Sequence, residues 1–201
     1  MSRIITGRAR GTRLRSPVGS HTRPTTDRVR EALFSALTAW ADGAGAASDR
    51  QLAGLSLLDL YAGSGAIGLE AASRGARPVV CVENHRPTVA VIRRNIAVTG
   101  LADQVRVCPV PVQTFLAGSP QPFDVVWLDP PYELAAGVVD AVVARLLTGW
   151  LAADGMVVVE RSRRGEAVGW PAMMAETWNQ RHGETELYFA RRALNESQGE
   201  S

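Results

Sequence analysis

The sequence predicts a doubly wound α/β fold, in which a mostly parallel sheet is covered by helices on both faces. Three observations lead to this prediction. From Leu55 onward, short apolar runs typical of buried strands alternate with segments whose apolar residues recur at helical spacing. The first run ends in a glycine-rich turn, and the closing stretch resembles two strands joined directly. Alternation favours parallel strands with right-handed crossovers, and the closing pair favours an antiparallel edge.

The elements of this main domain, residues 52–192, follow from the same patterns. The apolar runs predicted to form parallel strands are 55–61, 78–83, 104–107, 123–129 and 156–160. The helices predicted between them are 66–74, 87–99 and 134–147. Gly75 and Gly100 end the first two helices, because glycine adopts the left-handed conformation that commonly follows a helix. The closing strands are predicted at 173–178 and 184–190, around a turn at His182-Gly183.

A basic extension, residues 1–40, precedes this alternation. Ile4-Ile5-Thr6 and Thr12-Arg13-Leu14 predict two short strands around a glycine-containing turn. Thr25-Thr26-Asp27 predicts the start of a helix, because Thr and Asp are favoured as helix caps. The small, polar stretch 41–50 predicts a flexible linker, and the polar residues 193–201 predict a disordered tail.

The composition is that of a globular domain. Hydrophobic residues make up 46% of the 201 residues, and no apolar run approaches the length of a membrane span. No apolar run follows the first arginines, which argues against a signal peptide. Cys81 and Cys108 lie in apolar, strand-like runs and predict reduced thiols in a cytoplasmic protein. The three histidines are scattered, so no metal site is expected.

Arginines are concentrated at the N-terminus, although the formal net charge is only +2. Because a guanidinium pairs with phosphate and stacks on bases, this cluster predicts contact with a nucleic acid. The alternative is an ordinary solvated tail. The arginines expected to contact RNA are Arg3, Arg8, Arg10, Arg13, Arg15 and Arg23.

The first strand–helix junction has the pattern of a nucleotide-binding turn, Asp59-Leu-Tyr-Ala-Gly63-Ser-Gly65-Ala-Ile-Gly68. Open α/β sheets bind ligands at the carboxyl ends of their strands, and glycines there permit close backbone approach. The three glycines also fit the dinucleotide pattern of a nicotinamide enzyme. Asp59 argues against that reading, because its carboxylate would repel a pyrophosphate at the helix N-terminus.

A cofactor with an ammonium and a sulfonium group, S-adenosylmethionine, fits the acidic strand end better. Glu83 at the end of the second strand suits either cofactor, because a carboxylate accepts hydrogen bonds from ribose hydroxyls. A tight turn without a ligand is the remaining alternative. The cofactor contacts predicted here are Asp59, Ala62, Gly63, Ser64, Gly65, Glu83 and Asn84.

The fourth parallel strand ends in Asp129-Pro130-Pro131-Tyr132, which predicts a catalytic loop rather than a proline-stiffened connection. The lone pair of an exocyclic base amine is delocalised into the ring. Acceptors that hold its N–H groups, here the Asp129 carboxylate and the Pro130 carbonyl, can aim that lone pair at a methyl group. Tyr132 offers a flat face on which an extruded base can stack.

With these motifs in place, the chain resembles the class I, Rossmann-like amino-methyltransferases, and the RsmD family in particular. The N-terminal segments Arg3-Ile-Ile-Thr-Gly7 and Arg23-Pro-Thr-Thr-Asp-Arg-Val-Arg-Glu31 carry the closer resemblance. It implies a seven-stranded sheet, S-adenosylmethionine as cofactor, and methylation of N2 of guanine 966 in 16S ribosomal RNA. It also implies a monomer acting on a 30S subunit or an assembly intermediate.

The resemblance carries over residue by residue. It matches the glycine turn, Glu83 and the Asp129–Tyr132 loop, and it makes Thr25 and Arg28 plausible second contacts to the cofactor pocket. After the third strand the run Cys108-Pro-Val-Pro-Val112 departs from the family pattern, so the cofactor's adenine is expected to meet backbone groups such as the Val112 amide.

Two rival functions stay open from the sequence. A DNA adenine-N6 methyltransferase would use the same loop, although 201 residues leave little room for a separate target-recognition domain. A non-catalytic factor that binds ribosomal RNA during assembly is the other. A nicotinamide oxidoreductase is a more distant third.

Overall fold

The computed structural model describes residues 2–17 and 25–192, and within them the predicted α/β fold is confirmed. The strands are β1 (Ser2–Arg3), β2 (Arg13–Leu14), β3 (Leu57–Leu60), β4 (Val79–Val82), β5 (Val105–Cys108), β6 (Phe123–Leu128), β7 (Leu151–Ser162), β8 (Glu176–His182) and β9 (Thr185–Arg191). The helices are α1 (Asp27–Trp40), α2 (Ala66–Ser73), α3 (Arg86–Thr99), α4 (Val112–Leu116) and α5 (Ala136–Leu146).

The main sheet has seven strands in the order β5-β4-β3-β6-β7-β9-β8. The first five pair in parallel, and β9 pairs antiparallel with both β7 and β8, as the sequence predicts. From β3 the chain moves outward to β4 and β5, then returns to the other side of β3 through β6. Strand order therefore reverses at β3, where a doubly wound sheet opens a ligand crevice at the carboxyl ends of its strands.

Helices cover both faces of the sheet. In β3 and β4 every residue is buried, which is why these strands are continuous apolar runs in the sequence. On one face, Leu57, Trp127 and Val158 pack in a cluster with residues of α1, α2 and α3. On the other face, Leu58 and Val126 pack in a second cluster with residues of α4 and α5. The two clusters hold the strand ends in a fixed arrangement.

The N-terminal hairpin is docked on the main domain. Its strands pair antiparallel, but β1 lies at Ser2–Arg3 and not at the predicted residues 4–6, and β2 lacks the predicted Thr12. Ile4 follows β1, and its side chain is buried in the core. Glu70 on α2 is fully buried and accepts hydrogen bonds from the amides of Ile5 and Thr6, at 2.7 and 3.0 Å. The hairpin, α1 and the sheet thus share one core. The division of the chain into an extension, residues 1–40, and a main domain, residues 52–192, stays a prediction.

Three further elements differ from the predictions. Strand β7 is longer than predicted, since it begins at Leu151 rather than at Met156. The short helix α4 was not predicted, because Pro109 and Pro111 interrupt the apolar pattern; Pro111 is the N-cap residue of this helix. Strand β8 lies at Glu176–His182 rather than at 173–178, since its register is set by pairing with β9. In place of the predicted start of that strand, residues 172–173 form a turn.

Further predictions concern the start of α1, the two cysteines and the chain termini. The start of α1 is confirmed, because the Thr26 side chain accepts from the Val29 amide. Cys81 and Cys108 are free thiols, as predicted. Arg23 and the predicted tail 193–201 lie outside the described residues. Across the described ranges, no helix has the length and apolar character needed to cross a bilayer.

Candidate functional site

Four carboxyl groups meet at the carboxyl edge of the sheet, where four adjacent strands end. In the register, Leu60 of β3 lies between Val82 of β4 and Leu128 of β6, and Leu128 lies beside Val159 of β7. Strand order alone therefore brings together side chains that are far apart in the chain. The acidic residues at this edge are Asp59, Glu83, Asp129 and Glu160.

Asp59 lies beneath the first turn of α2. Its Oδ2 accepts from the Gly68 amide at 3.0 Å, which caps a helix whose N-cap residue, Gly65, has no side chain to do so. A Cβ on Gly68 would meet the Cys81 sulfur at 2.7 Å, so only glycine lets α2 approach the sheet this closely. Burial, with the nearby charge of Glu83, raises the pKa of Asp59 to about 7 against the opposing Gly68 hydrogen bond.

The other oxygen of Asp59 is buried and has no hydrogen-bond partner within the described part of the chain. A buried oxygen of this kind costs free energy unless a ligand satisfies it. It lies at the end of β3 beside the glycine turn, where the sequence predicts the cofactor. A cationic or N–H-bearing ligand fits this position.

The glycine turn bends sharply between β3 and α2. Gly63 and Gly65 have φ of +54° and +76°, and Tyr61 has φ of +61°, a conformation that costs a non-glycine residue on the order of 1 kcal/mol. Strained backbone of this kind is common beside binding sites.

Glu83 is held beside that turn. Its two oxygens accept from the Gly63 amide at 3.0 Å and from the His85 amide at 2.8 Å. A carboxylate has about four acceptor positions, so others stay available for the two hydroxyls of a ribose. Two amides fix the orientation of the acidic residue that the sequence predicts to bind the cofactor.

Asp129 follows β6 and lies across one hydroxyl group from Glu160, a buried residue of β7. Thr25, just before α1, lies between them: its Oγ1 is 2.9 Å from Glu160 Oε2 and 3.4 Å from Asp129 Oδ2. Burial raises the pKa of Asp129 well above its ordinary value, and the charges of Glu160 and Asp59 add to that rise. Burial likewise raises the pKa of Glu160 to about 7, against hydrogen bonds from Thr25 and Thr185.

The loop after Asp129 changes quickly from buried to exposed. Pro130 is buried, Pro131 is exposed, and the Tyr132 side chain is 46% exposed. The loop therefore joins the carboxylate cluster to the protein surface within three residues.

The N-terminal arginines lie on the protein surface. Arg3, Arg8, Arg10, Arg13 and Arg15 are all exposed. Arg3 lies directly opposite Arg13 in the hairpin, and like charges in that position repel unless an anion lies over them. Arg8 is partly engaged, because it pairs with Asp103 at 3.2 Å. Most of these arginines are available to a polyanion.

Comparison with known proteins identifies relatives over nearly the whole chain. The family described as conserved hypothetical protein 95 matches residues 2–191. The Ribosomal RNA small subunit methyltransferase D of Escherichia coli is 38% identical over 159 residues, which is 79% of this chain and 73% of that protein. The chain belongs to the RsmD family of methyltransferases.

Solved structures agree with the RsmD assignment. The yhhF protein of Escherichia coli has a TM-score of 0.78 at 30% identity, with 94% of this chain and 97% of that chain covered. The methyltransferase SMU.776, solved in complex with SAH, has a TM-score of 0.62 at 13% identity, with 82% of this chain and 48% of that chain covered. At this identity it shows the shared fold only. The methyl donor of the RsmD family is S-adenosylmethionine, the cofactor that the sequence predicts.

The residues present fit that cofactor. The unpartnered Asp59 oxygen and the carboxylates around it would attract its cationic end, while Glu83 would accept from its ribose hydroxyls. Val112 is the first residue of α4, so its amide has no partner within the helix and stays a predicted adenine contact. Asn84 and Arg28 are exposed, and their predicted contacts to the cofactor also stay predictions.

Sequence reasoning missed two residues of this RsmD site. Glu160 ends the apolar run Met156–Val159, at the same edge as Asp129, and an acid that ends a buried strand was the available signal. Tyr61 was missed because its left-handed backbone gives no sign in the sequence. Thr25, which was predicted from the family resemblance, is brought into contact with both carboxylates.

Proposed function

We propose that this RsmD-family chain methylates the N2 amine of guanine 966 in 16S ribosomal RNA, with S-adenosylmethionine as the methyl donor. The observation that carries the proposal is the position of Asp129, which lies in a carboxylate cluster beside the glycine turn. The Escherichia coli and Haemophilus influenzae relatives are both named Ribosomal RNA small subunit methyltransferase D, which supports the same class of substrate.

The cluster gives the cofactor crevice a negative potential. Asp59 and Glu160 are almost completely buried, and neither takes part in an ion pair among the described residues. Uncompensated buried carboxyls are costly in the free protein, which is why their pKa values rise. A ligand whose reactive end is cationic would recover that cost. The bound cofactor supplies an electrophilic methyl group at this point.

The loop holds the amine that receives the methyl group. The Asp129 carboxylate and the Pro130 carbonyl would accept its two N–H groups, and Pro131 would keep the loop rigid during transfer. Tyr132 would stack on the extruded base, an interaction worth about 1–3 kcal/mol. Catalysis of this kind works by positioning and electrostatics and needs no histidine base.

The arginine hairpin would grip the RNA backbone beside this loop. Arg3 and Arg13 project from opposite positions of the two strands, so they would meet neighbouring phosphates without reading sequence. Target choice would then come from RNA shape and from an exposed guanine. We infer a 30S subunit or an assembly intermediate as the substrate and a cytoplasmic monomer as the enzyme.

The test is incubation with labelled S-adenosylmethionine and 30S subunits that lack the modification, followed by mass analysis of the nucleosides. We expect N2-methylguanosine at one position, and about 100-fold slower transfer by Asp129→Asn. Labelled N6-methyladenosine in duplex DNA would favour the rival DNA methyltransferase. RNA binding without transfer would favour the non-catalytic assembly factor.

A further inference from the structure

We propose that Asp129, Thr25 and Glu160 form a proton relay, in which Glu160 stores the proton that the substrate amine releases when it is methylated. This inference rests on the proposed function, because it takes Asp129 as the group that faces the amine. It adds a positioning role for Thr25 and a proton-storing role for Glu160. In the relay Glu160 acts through Thr25 and does not touch the substrate.

The geometry of the Thr25 hydroxyl is the first support. A hydroxyl has one hydrogen to donate and two lone pairs that accept. With Oε2 of Glu160 at 2.9 Å and Oδ2 of Asp129 at 3.4 Å, Thr25 donates to the nearer carboxylate and cannot donate to both. Its lone pair then faces Asp129, an arrangement that becomes attractive when Asp129 carries a proton.

The surroundings of the pair are the second support. The titratable group that faces it from β3 is Asp59, and from β9 the Thr185 hydroxyl donates to Glu160. No ion pair among the described residues involves Asp129 or Glu160. Two carboxylates that share one hydroxyl partner repel each other, so the pair readily takes up one proton when the amine releases it.

Methyl transfer sends one proton from the substrate nitrogen through Asp129 and Thr25 to Glu160. The amine nitrogen uses its lone pair to bond the methyl carbon, the bond from that carbon to sulfur breaks, and the electron pair goes to sulfur. The nitrogen then carries a positive charge and gives one proton to the Asp129 carboxylate. Asp129 passes a proton to Thr25 Oγ1, which releases its own hydrogen to Glu160.

Storage on Glu160 has a direct consequence for Asp129. The side chain of Asp129 is ionised again while the product is still bound, so it does not keep a proton at the position where the next amine must be held. Glu160 is only 2% exposed, so its proton returns to solvent by the same route after the product leaves. Replacing the carboxylate of Asp129 or that of Glu160 would therefore slow turnover.

Three variants test the relay. Thr25→Val removes the hydroxyl, Thr25→Ser keeps it, and Glu160→Gln removes the carboxylate that accepts the proton. We expect Thr25→Val and Glu160→Gln to lower kcat for methylation of 30S subunits by about 10- to 100-fold at pH 7.5. Thr25→Ser should stay within about threefold of the wild type. Binding of S-adenosylmethionine, measured by calorimetry, should confirm that each variant is folded.

The pH profile separates a relay from a merely structural contact. Glu160→Gln removes a like charge that raises the pKa of Asp129. The acid limb of the curve of kcat against pH should therefore move to lower pH. Thr25→Val removes the hydrogen bond that lowers the pKa of Glu160, so Glu160 stays protonated to higher pH and the limb should move to higher pH. Opposite shifts are expected from a relay and not from local disorder.

Each outcome counts for or against the relay. Wild-type rates and an unmoved acid limb in both variants would overturn it while leaving the proposed methylation intact. Equal losses in Thr25→Val and Thr25→Ser would also overturn it, because the hydroxyl would then be irrelevant. A wild-type protein that methylates nothing would instead refute the proposed function, and the relay with it, before any variant is measured.

Discussion

The side chain of Asn95 on α3 pairs with the backbone of Arg15 in both directions. Its Oδ1 accepts from the Arg15 amide at 2.9 Å, and its Nδ2 donates to the Arg15 carbonyl at 3.0 Å. The same Nδ2 donates to the Ser64 carbonyl in the glycine turn at 2.9 Å. One fully buried amide therefore joins the arginine hairpin to the predicted cofactor turn.

The first prediction concerns this link. Asn95→Ala should lower the free energy of unfolding by about 2–4 kcal/mol, because three hydrogen bonds are lost at a buried site. It should also weaken S-adenosylmethionine binding, since Ser64 loses its support. Urea unfolding and calorimetry measure both effects. Arg94→Ala, at an exposed position on the same helix, is the control and should change stability by less than about 0.5 kcal/mol.

The second prediction concerns the anchor of the hairpin. Glu70 is fully buried, and besides two hairpin amides it accepts from Arg74 Nε at 2.9 Å. Glu70→Ala should cost about 3–5 kcal/mol of unfolding free energy, because it leaves the guanidinium of Arg74 buried without its partner. Arg8→Ala breaks an exposed pair and should cost less than about 1 kcal/mol. Similar losses in both variants would contradict this account.

The third prediction is a pH dependence of stability caused by Asp59. Its pKa is about 7 in the folded protein and ordinarily 3.8, so the folded state keeps a proton that the unfolded chain has lost. Asp59 therefore lowers stability as pH rises from about 4 to about 7, and its effect levels off above that. Asp59→Asn should be more stable than the wild type at pH 8, by on the order of a few kcal/mol.

The control for Asp59→Asn is the same comparison at acid pH. The advantage of the variant should shrink towards pH 4, because both side chains are then neutral and both accept from the Gly68 amide. Urea unfolding at the two pH values measures the difference. A variant that is less stable than the wild type at pH 8 would show that the charge of Asp59 costs the fold nothing. Cofactor binding should be weaker in the variant at pH 8, where only the wild type carries the charge.

The fourth prediction links cofactor binding to proton release. Burial raises the pKa of Asp59 and Glu160 to about 7 and raises that of Asp129 as well, so these carboxyls are partly protonated at neutral pH. A cationic ligand favours their ionised forms. We expect S-adenosylmethionine to bind more tightly as pH rises from 6 to 8, with up to tenfold change per pH unit for each proton released.

Calorimetry in buffers of different ionisation enthalpy counts those protons. S-adenosylhomocysteine, which lacks the sulfonium charge, is the matched control and should release fewer. Equal proton release by the two ligands would mean that the carboxylate cluster does not respond to the sulfonium.

The fifth prediction concerns Tyr132. Tyr132→Ala should reduce kcat/KM for methylation of 30S subunits by about 10- to 100-fold, which corresponds to a stacking energy of roughly 1–3 kcal/mol. Tyr132→Phe keeps the ring and should stay close to the wild type. Single-turnover rates provide the measurement. A large loss in Tyr132→Phe would assign the function to the hydroxyl rather than to the ring.

The differences between predicted and observed elements have physical causes. Strands β3, β4 and β6 were predicted because nearly all of their residues are buried, which makes them almost continuous apolar runs. Helix α4 has only five residues and follows Pro111, so it offers too short a periodicity to detect. The position of β8 depends on its register with β9, where Trp178 stacks on Phe189, and a pairing partner cannot be read from one strand.

The sequence by itself determined the fold class, the glycine turn and the Asp129–Tyr132 loop, because each depends on residues close together in the chain. Only the tertiary structure decided that Thr25 lies between Asp129 and Glu160, residues 104 and 135 positions away from it. The same is true of the raised pKa values, since they arise from burial and from charges on neighbouring strands. Contacts across a sheet depend on strand order and register, which a local pattern does not contain.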